Sequence, residues 1–446
     1  RMNTGEDRMV LHHLTRGEPA GRVVRSGRDY RTFYEGERLR FEAFAGRVQS
    51  GDIPGSTGMP FRTAVQIGIG GSDHGPRALC LALENWARGE GRSHLAARFL
   101  SNVDPDDACG VFADLDPETT LFILVSKSGT TQETLANESL ARDFLSRRGH
   151  RNLDPSRHVV VVTAENSVLA GDSRYLESFY IDDCIGGRYS STSAAGGLIL
   201  SLAYDPETFN ELLAGAADAD LRALDPDPRR NPALLDALLG IFQRNILGRP
   251  CTAVLPYSQA LSRFPAHLQQ LDMESNGKSV NRDGMAVHYP TGPVVFGEPG
   301  TNGQHSFYQL LHQGTDVVPL QFIGFLENQA GCDIVVEGST SRAKLNANLA
   351  AQIVAFAVGK DDDNPNQRFH GGRPSTILYG RKLDPRALGA LLAHYENKIM
   401  FQGFAWNLNS FDQEGVQLGK ALTKKILSPG VLDGALQAIS RALGVR

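Results

Sequence analysis

The chain has 446 residues, of which 45 are lysine or arginine and 50 are aspartate or glutamate, so its formal net charge is −5. This slightly acidic balance argues against a protein dedicated to nucleic acids or to membrane surfaces. No run approaches the roughly 18 uninterrupted apolar residues that predict a membrane-spanning helix. The length predicts two or three domains whose cores need no metal or disulfide for stability.

The five cysteines are widely spaced and form no CxxC pair; they are Cys80, Cys109, Cys184, Cys251 and Cys332. Such cysteines are typical of reduced thiols in a cytoplasmic protein and not of a disulfide framework or a zinc site. The 12 histidines form no HExxH motif. We therefore predict no metal site.

Short aliphatic runs alternate with helical patterns in the first half of the chain. The runs at residues 64–69, 121–125 and 158–162 are rich in aliphatic residues, as in parallel strands that are buried on both faces. Residues 131–145 carry a helical pattern between two of these runs. This β-α-β order predicts a doubly wound α/β sheet.

A second series of apolar runs follows a polar, proline-rich connector at residues 225–232. The strands predicted from it lie at residues 251–256, 293–296, 317–323 and 375–379. The sequence therefore predicts two α/β domains.

Glycine is unusually frequent, with 47 residues of 446, whereas about 7% is usual. Many of these glycines follow predicted strands, and the first group is the Gly-Ile-Gly-Gly-Ser-Asp-His-Gly-Pro segment at residues 68–76. Glycine lets backbone N–H groups approach an anion closely at a helix N-terminus. The segment lacks the GxGxxG spacing of a dinucleotide-binding loop, and it is equally compatible with a plain tight turn.

Hydroxyl side chains dominate the next loop, because five of the nine residues 126–134 are serine or threonine. A phosphate there would meet O–H donors, free N–H groups and the positive end of the following helix dipole. Thr130 and Glu133 also fit a capping box, although capping needs only one or two such residues. The loop lacks the GxxxxGK[ST] pattern of nucleotide-binding proteins, so we predict a site for a small monophosphorylated molecule.

Two further segments carry charged residues that suit catalysis. Arg188 follows two glycines and is a candidate for stabilising a developing oxyanion. Glu274 ends a helical pattern and is a candidate general base. The alternative for both is an ordinary surface residue, since single arginines and glutamates are mostly exposed.

Three more candidates lie further along the chain. His305 opens a predicted helix after a glycine-rich loop and is either an acid/base near pH 7 or a structural histidine. Gln413 and Lys420 are seven residues apart, so they share one face if this stretch is helical. Lys420 is otherwise an ordinary surface lysine.

In chain order, these segments resemble the glucose-6-phosphate isomerase (phosphoglucose isomerase) family over nearly the whole chain, from Asn3 and Thr4 to Lys420. The strongest matches lie at residues 68–76, 126–134, 187–190, 273–278, 297–309 and 411–420. The resemblance implies an α/β fold of two sugar-isomerase-type αβα sandwich domains with mostly parallel sheets and helical ends.

On this basis we expect five parts of the chain. They are a helical N-terminal segment (1–45), a first sugar-isomerase-type domain (46–205), a helical connector (206–245), a second sugar-isomerase-type domain (246–430) and a helical tail (431–446). Most members of the family begin further upstream, so we also expect a helical portion before Arg1.

The resemblance implies an aldose–ketose isomerase of glycolysis and gluconeogenesis that needs no metal or organic cofactor. Such an enzyme interconverts glucose 6-phosphate and fructose 6-phosphate through a cis-enediolate. The resemblance also implies a cytoplasmic homodimer, in which His305 of the other subunit completes the active site.

The family's catalytic roles match four residues of this chain. Glu274 matches the base that moves a proton between C2 and C1, and Arg188 matches the group that steadies the enediolate. His305 matches the acid/base of ring opening, which Lys420 assists. The residues that match substrate- and phosphate-binding positions are Gly71, Ser72, Ser126, Lys127, Ser128, Thr130, Thr131, Gln270 and Gln413.

Three other functions are compatible with parts of this pattern. A non-catalytic sugar-phosphate sensor would keep the loop at residues 126–131 but would not need Glu274, His305 or Lys420. A dehydrogenase would use residues 68–75 for a dinucleotide. An isomerase that prefers mannose or amino-sugar phosphates is the alternative that the sequence leaves open.

Overall fold

The computed structural model describes residues 2–3, 8–17, 21–147 and 153–445. Thr4 and parts of the segment 1–45 lie outside the described residues. The division of the chain into five parts remains a prediction, and the elements are given below as the structure has them.

The described residues before the first α-helix contain four short strands and a 3₁₀ turn. The strands pair antiparallel, β1 (Met2–Asn3) with β2 (Arg8–Met9) and β3 (Val24–Arg25) with β4 (Arg28–Asp29). The 3₁₀ turn at His12–Arg16 lies between these two pairs in the chain, and helix α1 spans Tyr30–Gln49. In the segment 1–45, which is predicted to be helical, the first α-helix therefore begins only at Tyr30, where the carboxylate of Asp29 caps it.

The first large sheet contains five parallel strands in the order β6-β5-β7-β8-β9. The strands are β5 (Thr63–Ile67), β6 (Ala96–Leu100), β7 (Thr120–Val125), β8 (Val159–Thr163) and β9 (Ser178–Tyr180). The aliphatic runs predict β5, β7 and β8, and β7 and β8 are buried at every position. They do not predict β6 and β9, because β6 is half exposed and β9 is only three residues long.

Helices follow the strands of this sheet and then lead to the second one. They are α2 (His74–Gly89), α3 (Pro105–Phe112), α4 (Gln132–Arg147), α5 (Ala194–Ala203), α6 (Pro206–Arg222) and α7 (Pro232–Ile241).

The second large sheet has four parallel strands in the order β11-β10-β12-β15. The strands of this half are β10 (Cys251–Pro256), β11 (Val294–Phe296), β12 (Leu320–Phe325), a small hairpin of β13 (Val335–Val336) and β14 (Ser339–Thr340), and β15 (Ser375–Gly380). All four predicted strands of the second series are present. The helices of this half are α8 (Phe264–Leu268), α9 (Tyr308–Gln313), α10 (Ser341–Val358), α11 (Pro385–Ala405), α12 (Gln417–Leu427) and α13 (Gly434–Ala442).

Two helices that begin with the same signal, α6 and α11, pack against each other. Both α6 and α11 start with proline after a capping aspartate, Asp205 or Asp384, as helix N-termini favour. A Cβ at Gly389 of α11 would lie 1.9 Å from the carbonyl oxygen of Leu212, so only glycine permits this approach. Helix α6, which was expected in a connector, is thus packed against the helix that follows the second sheet.

The strand order places several loops at one edge of the first sheet. The parallel strands β5 and β7 are neighbours, so the loops that follow them, at residues 68–73 and 126–131, begin at the same edge. Ligands of open α/β sheets bind at this carboxyl edge.

None of the helices in the described part of the chain combines the length and the apolar character that a membrane-spanning helix needs.

Candidate active site

The hydroxyl loop, defined here as residues 126–131, joins the buried strand β7 to helix α4. The hydroxyl of Ser126 donates to Oγ1 of Thr131 at 3.3 Å, and that of Thr130 donates to Oγ of Ser128 at 3.0 Å. Ser128 and Thr130 are exposed, whereas Ser126 is buried. The loop therefore presents a hydrogen-bonded set of hydroxyl groups next to a helix N-terminus.

A cavity of about 620 Å³ lies between the hydroxyl loop and helix α12. Ser128, Thr130 and Thr131 line one side, and Lys420 and Lys424 line the other. Hydroxyl donors that face two ammonium groups suit a phosphate group, which accepts hydrogen bonds and carries negative charge.

Lys127 is held on a different side of the loop. Its Nζ lies 3.3 Å from the carbonyl oxygen of Ile185 and 3.7 Å from Oδ1 of Asp183. The lysine therefore ties the hydroxyl loop to the segment that leads to Arg188.

The glycine turn after β5 touches the segment that carries Arg188. A Cβ on Gly71 would lie 2.0 Å from the carbonyl carbon of Gly187, so the two backbones can meet only because residue 71 is glycine. A Cβ on Gly70 would lie 3.3 Å from Nε2 of Gln270. The turn at residues 70–72 thus adjoins both Arg188 and Gln270, two of the predicted site residues.

Arg188 is buried, with 2% of its side chain exposed. Its Nη1 lies 3.2 Å from Oε1 of Gln413 and 3.3 Å from Oε2 of Glu274. Its Nη2 donates to the carbonyl oxygens of Ser410, at 2.8 Å, and Asp412, at 3.0 Å. The surface alternative for Arg188 is therefore wrong.

Glu274 lies at the end of a π-helical segment, Gln269–Glu274, that continues α8. Its Oε2 accepts a hydrogen bond from Nε2 of Gln270 at 3.1 Å, and 23% of its side chain is exposed. We call Arg188, Gln270, Glu274 and Gln413 the arginine cluster. The cluster places a partly accessible carboxylate beside a fixed cation, which suits proton abstraction next to a developing negative charge.

Gln413 and Lys420 do not share one helical face. A 3₁₀ turn at Glu414–Val416 separates Gln413 from helix α12, which carries Lys420. Gln413 contacts Arg188, whereas Lys420 is exposed and faces the hydroxyl loop. The two residues therefore approach the site from different directions.

His305 is exposed and ends a 3₁₀ turn, Asn302–His305, so the helix that follows, α9, begins only at Tyr308. Within the described part of the chain, none of the hydrogen bonds or ion pairs of Arg188 and Glu274 involves His305. The structure of one chain thus joins the members of the arginine cluster to one another and places Lys420 opposite the hydroxyl loop, but it joins His305 to neither group.

Burial changes the pKa of two groups near Glu274. Desolvation lowers the pKa of His267, on α8, to about 4, with a further lowering from His74. Desolvation also raises the pKa of Asp272, within the π-helical segment, to about 6. The segment that carries the candidate base therefore lies in surroundings of low polarity.

Sequence reasoning missed the residues that hold this site together. Ser275 accepts a hydrogen bond from Nε of Arg188 at 2.7 Å, and Asn276 accepts one from the hydroxyl of Ser410 at 2.6 Å. Lys278 pairs with Asp412. The sequence feature that Ser275, Asn276 and Lys278 share is their position directly after Glu274, in the segment Glu-Ser-Asn-Gly-Lys. Nothing in that spacing identifies the residues that they contact elsewhere in the chain.

No group of three or more histidine, cysteine, aspartate or glutamate side chains among the described residues is arranged to hold a metal ion.

The chain is similar to known isomerases over nearly its whole length. The phosphoglucose isomerase family matches residues 1–435. The glucose-6-phosphate isomerase of Treponema denticola is 60% identical over 442 residues, which cover 99% of this chain and 83% of that protein. The one of Desulfotalea psychrophila is 51% identical over 95% of this chain and 77% of that protein.

A solved structure agrees with this similarity. The crystal structure of a glucose-6-phosphate isomerase from Chlamydia trachomatis has a TM-score of 0.90 and 46% sequence identity, and the match covers 99% of this chain and 82% of that one. The chain therefore belongs to the phosphoglucose isomerase family.

Proposed function

We propose that this chain interconverts glucose 6-phosphate and fructose 6-phosphate through a cis-enediolate, as an aldose–ketose isomerase of glycolysis and gluconeogenesis. The observation that carries the proposal is the contact between Glu274 and Arg188, 3.3 Å apart, in a chain of this family. A base and a cation so placed serve the two needs of the reaction, which are proton removal from carbon and stabilisation of the resulting charge.

Glu274 takes the proton from C2 of the open-chain aldose. The electron pair of the C2–H bond then forms the C1–C2 double bond, and the carbonyl π electrons move to O1. The guanidinium of Arg188 stabilises the negative oxygen of this enediolate. Glu274 returns the proton to C1, where the electron pair of the C1–C2 double bond receives it. The proton of the C2 hydroxyl passes to O1, and the electron pair of that O–H bond forms the ketone C=O at C2, so atoms and charge balance without a redox partner.

Ring opening comes before this step and needs an acid/base at the ring oxygen and the C1 hydroxyl. We assign that role to His305, assisted by Lys420. Because His305 is exposed and makes no contact with the arginine cluster within its own described chain, we assign the working histidine to the other subunit of a homodimer. Lys420, facing the hydroxyl loop, belongs to the same chain as Glu274.

The substrate is held by its phosphate and by its hydroxyl groups. The phosphate contacts assigned to the hydroxyl loop are Ser126, Lys127, Ser128, Thr130 and Thr131, and the remaining substrate contacts are Gly71, Ser72, Gln270 and Gln413. Binding energy from the phosphate, which does not react, holds the small sugar in position for the proton transfer.

We place the protein in the cytoplasm, because its widely spaced cysteines suit reduced thiols and its proposed substrate is a metabolite of glycolysis. All five cysteines are free in the structure.

The test is a coupled assay of the purified chain with fructose 6-phosphate, and with glucose, mannose and glucosamine 6-phosphates side by side. We expect rapid conversion of fructose and glucose 6-phosphates and slower or no conversion of the other two. Preferential conversion of mannose or glucosamine 6-phosphate would instead support the alternative isomerase class. Absence of any conversion, with binding retained, would support a sugar-phosphate sensor.

A further inference from the structure

Each nitrogen of the Arg188 guanidinium has a polar partner. Nη1 faces Gln413 and Glu274, and Nη2 donates to the two carbonyl oxygens of the 410–412 segment. The remaining donor, Nε, bonds to the hydroxyl oxygen of Ser275 at 2.7 Å. Among the described residues, Ser275 is the one acceptor on this edge of the guanidinium.

Ser275 is itself fixed by a second buried hydroxyl. Its Oγ lies 3.0 Å from the hydroxyl of Tyr189, and both residues are almost fully buried, with exposures of 0% and 1%. Burial raises the pKa of Tyr189 to about 12, so its hydroxyl keeps its proton at neutral pH.

Aromatic packing holds the tyrosine ring in place. The ring of His12 stacks on Tyr189 with centroids 4.7 Å apart, and Phe411 packs against it at 5.4 Å. Tyr189 follows Arg188 and Ser275 follows Glu274 in the chain. Each residue of the ion pair is therefore next in sequence to one of the two hydroxyl residues.

The contacts of Arg188 differ in how they respond to the reaction. When Glu274 takes up the substrate proton, its carboxylate loses its charge and its attraction for Nη1 weakens. Nη1 is then available for an enediolate oxygen. The contact of Nε with Ser275 is to a neutral hydroxyl, so this contact does not change as the proton moves.

We propose that Ser275, held by Tyr189, is a positioning residue that keeps the guanidinium of Arg188 aimed at the enediolate while Glu274 changes its charge. This inference rests on the proposed isomerase function. It assigns no contact between Ser275 and the substrate, because Ser275 acts through Arg188.

The test is a double-mutant cycle of Ser275→Ala with Arg188→Ala, read as kcat and KM for fructose 6-phosphate. In the otherwise unchanged enzyme, Ser275→Ala should lower kcat about 10- to 100-fold, because one partner of a charged donor is lost, and KM should stay within about threefold. In the Arg188→Ala background, the same substitution should change kcat by less than about twofold. An equal loss in both backgrounds, or no loss in either, would overturn the proposal.

Tyr189→Phe provides a second variant if Ser275→Ala folds poorly in a thermal melt. It should lower kcat about threefold, and this loss should disappear when Arg188 is alanine. The matched control is Tyr204→Phe, because the Tyr204 hydroxyl is also buried and donates to the carbonyl oxygen of Cys80 at 2.5 Å. If Tyr189→Phe and Tyr204→Phe have the same effect on kcat, the positioning role is excluded.

Wild-type activity separates the two proposals. An inactive wild-type chain contradicts the proposed function itself. An active wild-type chain whose kcat depends on Arg188 but not on Ser275 contradicts the positioning role alone.

Discussion

The arginine cluster and the hydroxyl loop belong to the same proposed site but differ in construction. The cluster is closed, because Arg188 is 2% exposed and each nitrogen of its guanidinium has a polar partner. The hydroxyl loop is open, because Ser128 and Thr130 are exposed and line a cavity of about 620 Å³.

From this contrast we infer that the ion pair of the arginine cluster serves the proton transfer and that the hydroxyl loop serves substrate binding. A fixed set of dipoles and charges need not reorganise when charge develops, which favours the transition state. An open, hydroxyl-lined cavity can admit a phosphate group and binds it equally in the ground state and the transition state. Substitutions of Arg188 and Glu274 in the cluster should therefore lower kcat, and substitutions in the loop should raise KM.

The largest effect is expected for Glu274→Gln. The amide keeps the shape of the side chain but cannot take the proton, so kcat should fall about 10³-fold while the affinity for a non-reacting sugar-alcohol phosphate stays within about threefold. The control is Glu84→Gln, which alters an exposed ion pair with Arg88 on α2. A Glu274→Gln variant with near-normal kcat would remove Glu274 from the role of base.

Arg188→Lys should have the next largest effect, because lysine cannot reproduce the five-donor geometry of the guanidinium. We expect kcat to fall about 10²-fold with a smaller change in KM, measured in the same coupled assay. Arg88→Lys is the matched control on the surface of α2. If KM rose while kcat was unchanged, Arg188 would belong with the binding residues.

Ser128→Ala and Thr131→Ala should have modest effects, and both should change KM and not kcat. Each removes one hydroxyl from the cavity, so KM should rise about three- to tenfold and kcat should stay within about twofold. Ser139→Ala on the exposed side of α4 is the control, since its hydroxyl bonds only to the helix at Leu135. Unchanged KM in both loop variants would place the phosphate elsewhere.

The last prediction concerns stability, and not catalysis, at α8, the helix that leads into the π-helical segment with Gln270 and Glu274. Because the pKa of His267 is about 4 in the folded chain and about 6.5 when unfolded, the unfolded state binds more protons between these values. Stability is therefore fully present above about pH 6.5 and is lost as the pH falls toward 4. The contribution lost between pH 7.5 and 5.0 is about 2 kcal/mol.

Urea unfolding of His267→Gln at pH 7.5 and 5.0 measures this contribution. The variant should lose about 2 kcal/mol less stability than the wild type over this interval, whereas His94→Gln, at an exposed histidine, should lose as much as the wild type. Equal losses in the His267→Gln variant and the wild type would show that His267 does not titrate in this way.

The sequence predicts the strands better than the contacts at their ends. Apolar runs such as residues 121–125 identify buried parallel strands because burial on both faces leaves little freedom of composition. The edge strand β6 escapes this rule, because three of its five residues are not fully buried. The π-helical turn at Gln269–Glu274 also has no local signal in the sequence.

The arginine cluster illustrates where sequence reasoning ends. The residue types at positions 188 and 274 suit the chemistry, and the family resemblance supplies their roles. Their geometry depends on contacts between segments far apart in the chain, such as Arg188 with Ser410 across 222 residues. The burial of Arg188 and the roles of Ser275 and Lys278 follow from the fold and not from local spacing.

The most direct test of the division between cluster and loop follows the proton itself. Fructose 6-phosphate is incubated in ²H₂O with wild-type enzyme, Glu274→Gln or Ser128→Ala at saturating substrate, and deuterium at C1 and at C2 of the product is measured by NMR. We expect incorporation at similar rates by wild type and Ser128→Ala and at least about 10²-fold slower incorporation by Glu274→Gln, because the amide cannot carry the proton. Incorporation by Glu274→Gln at the wild-type rate would contradict it.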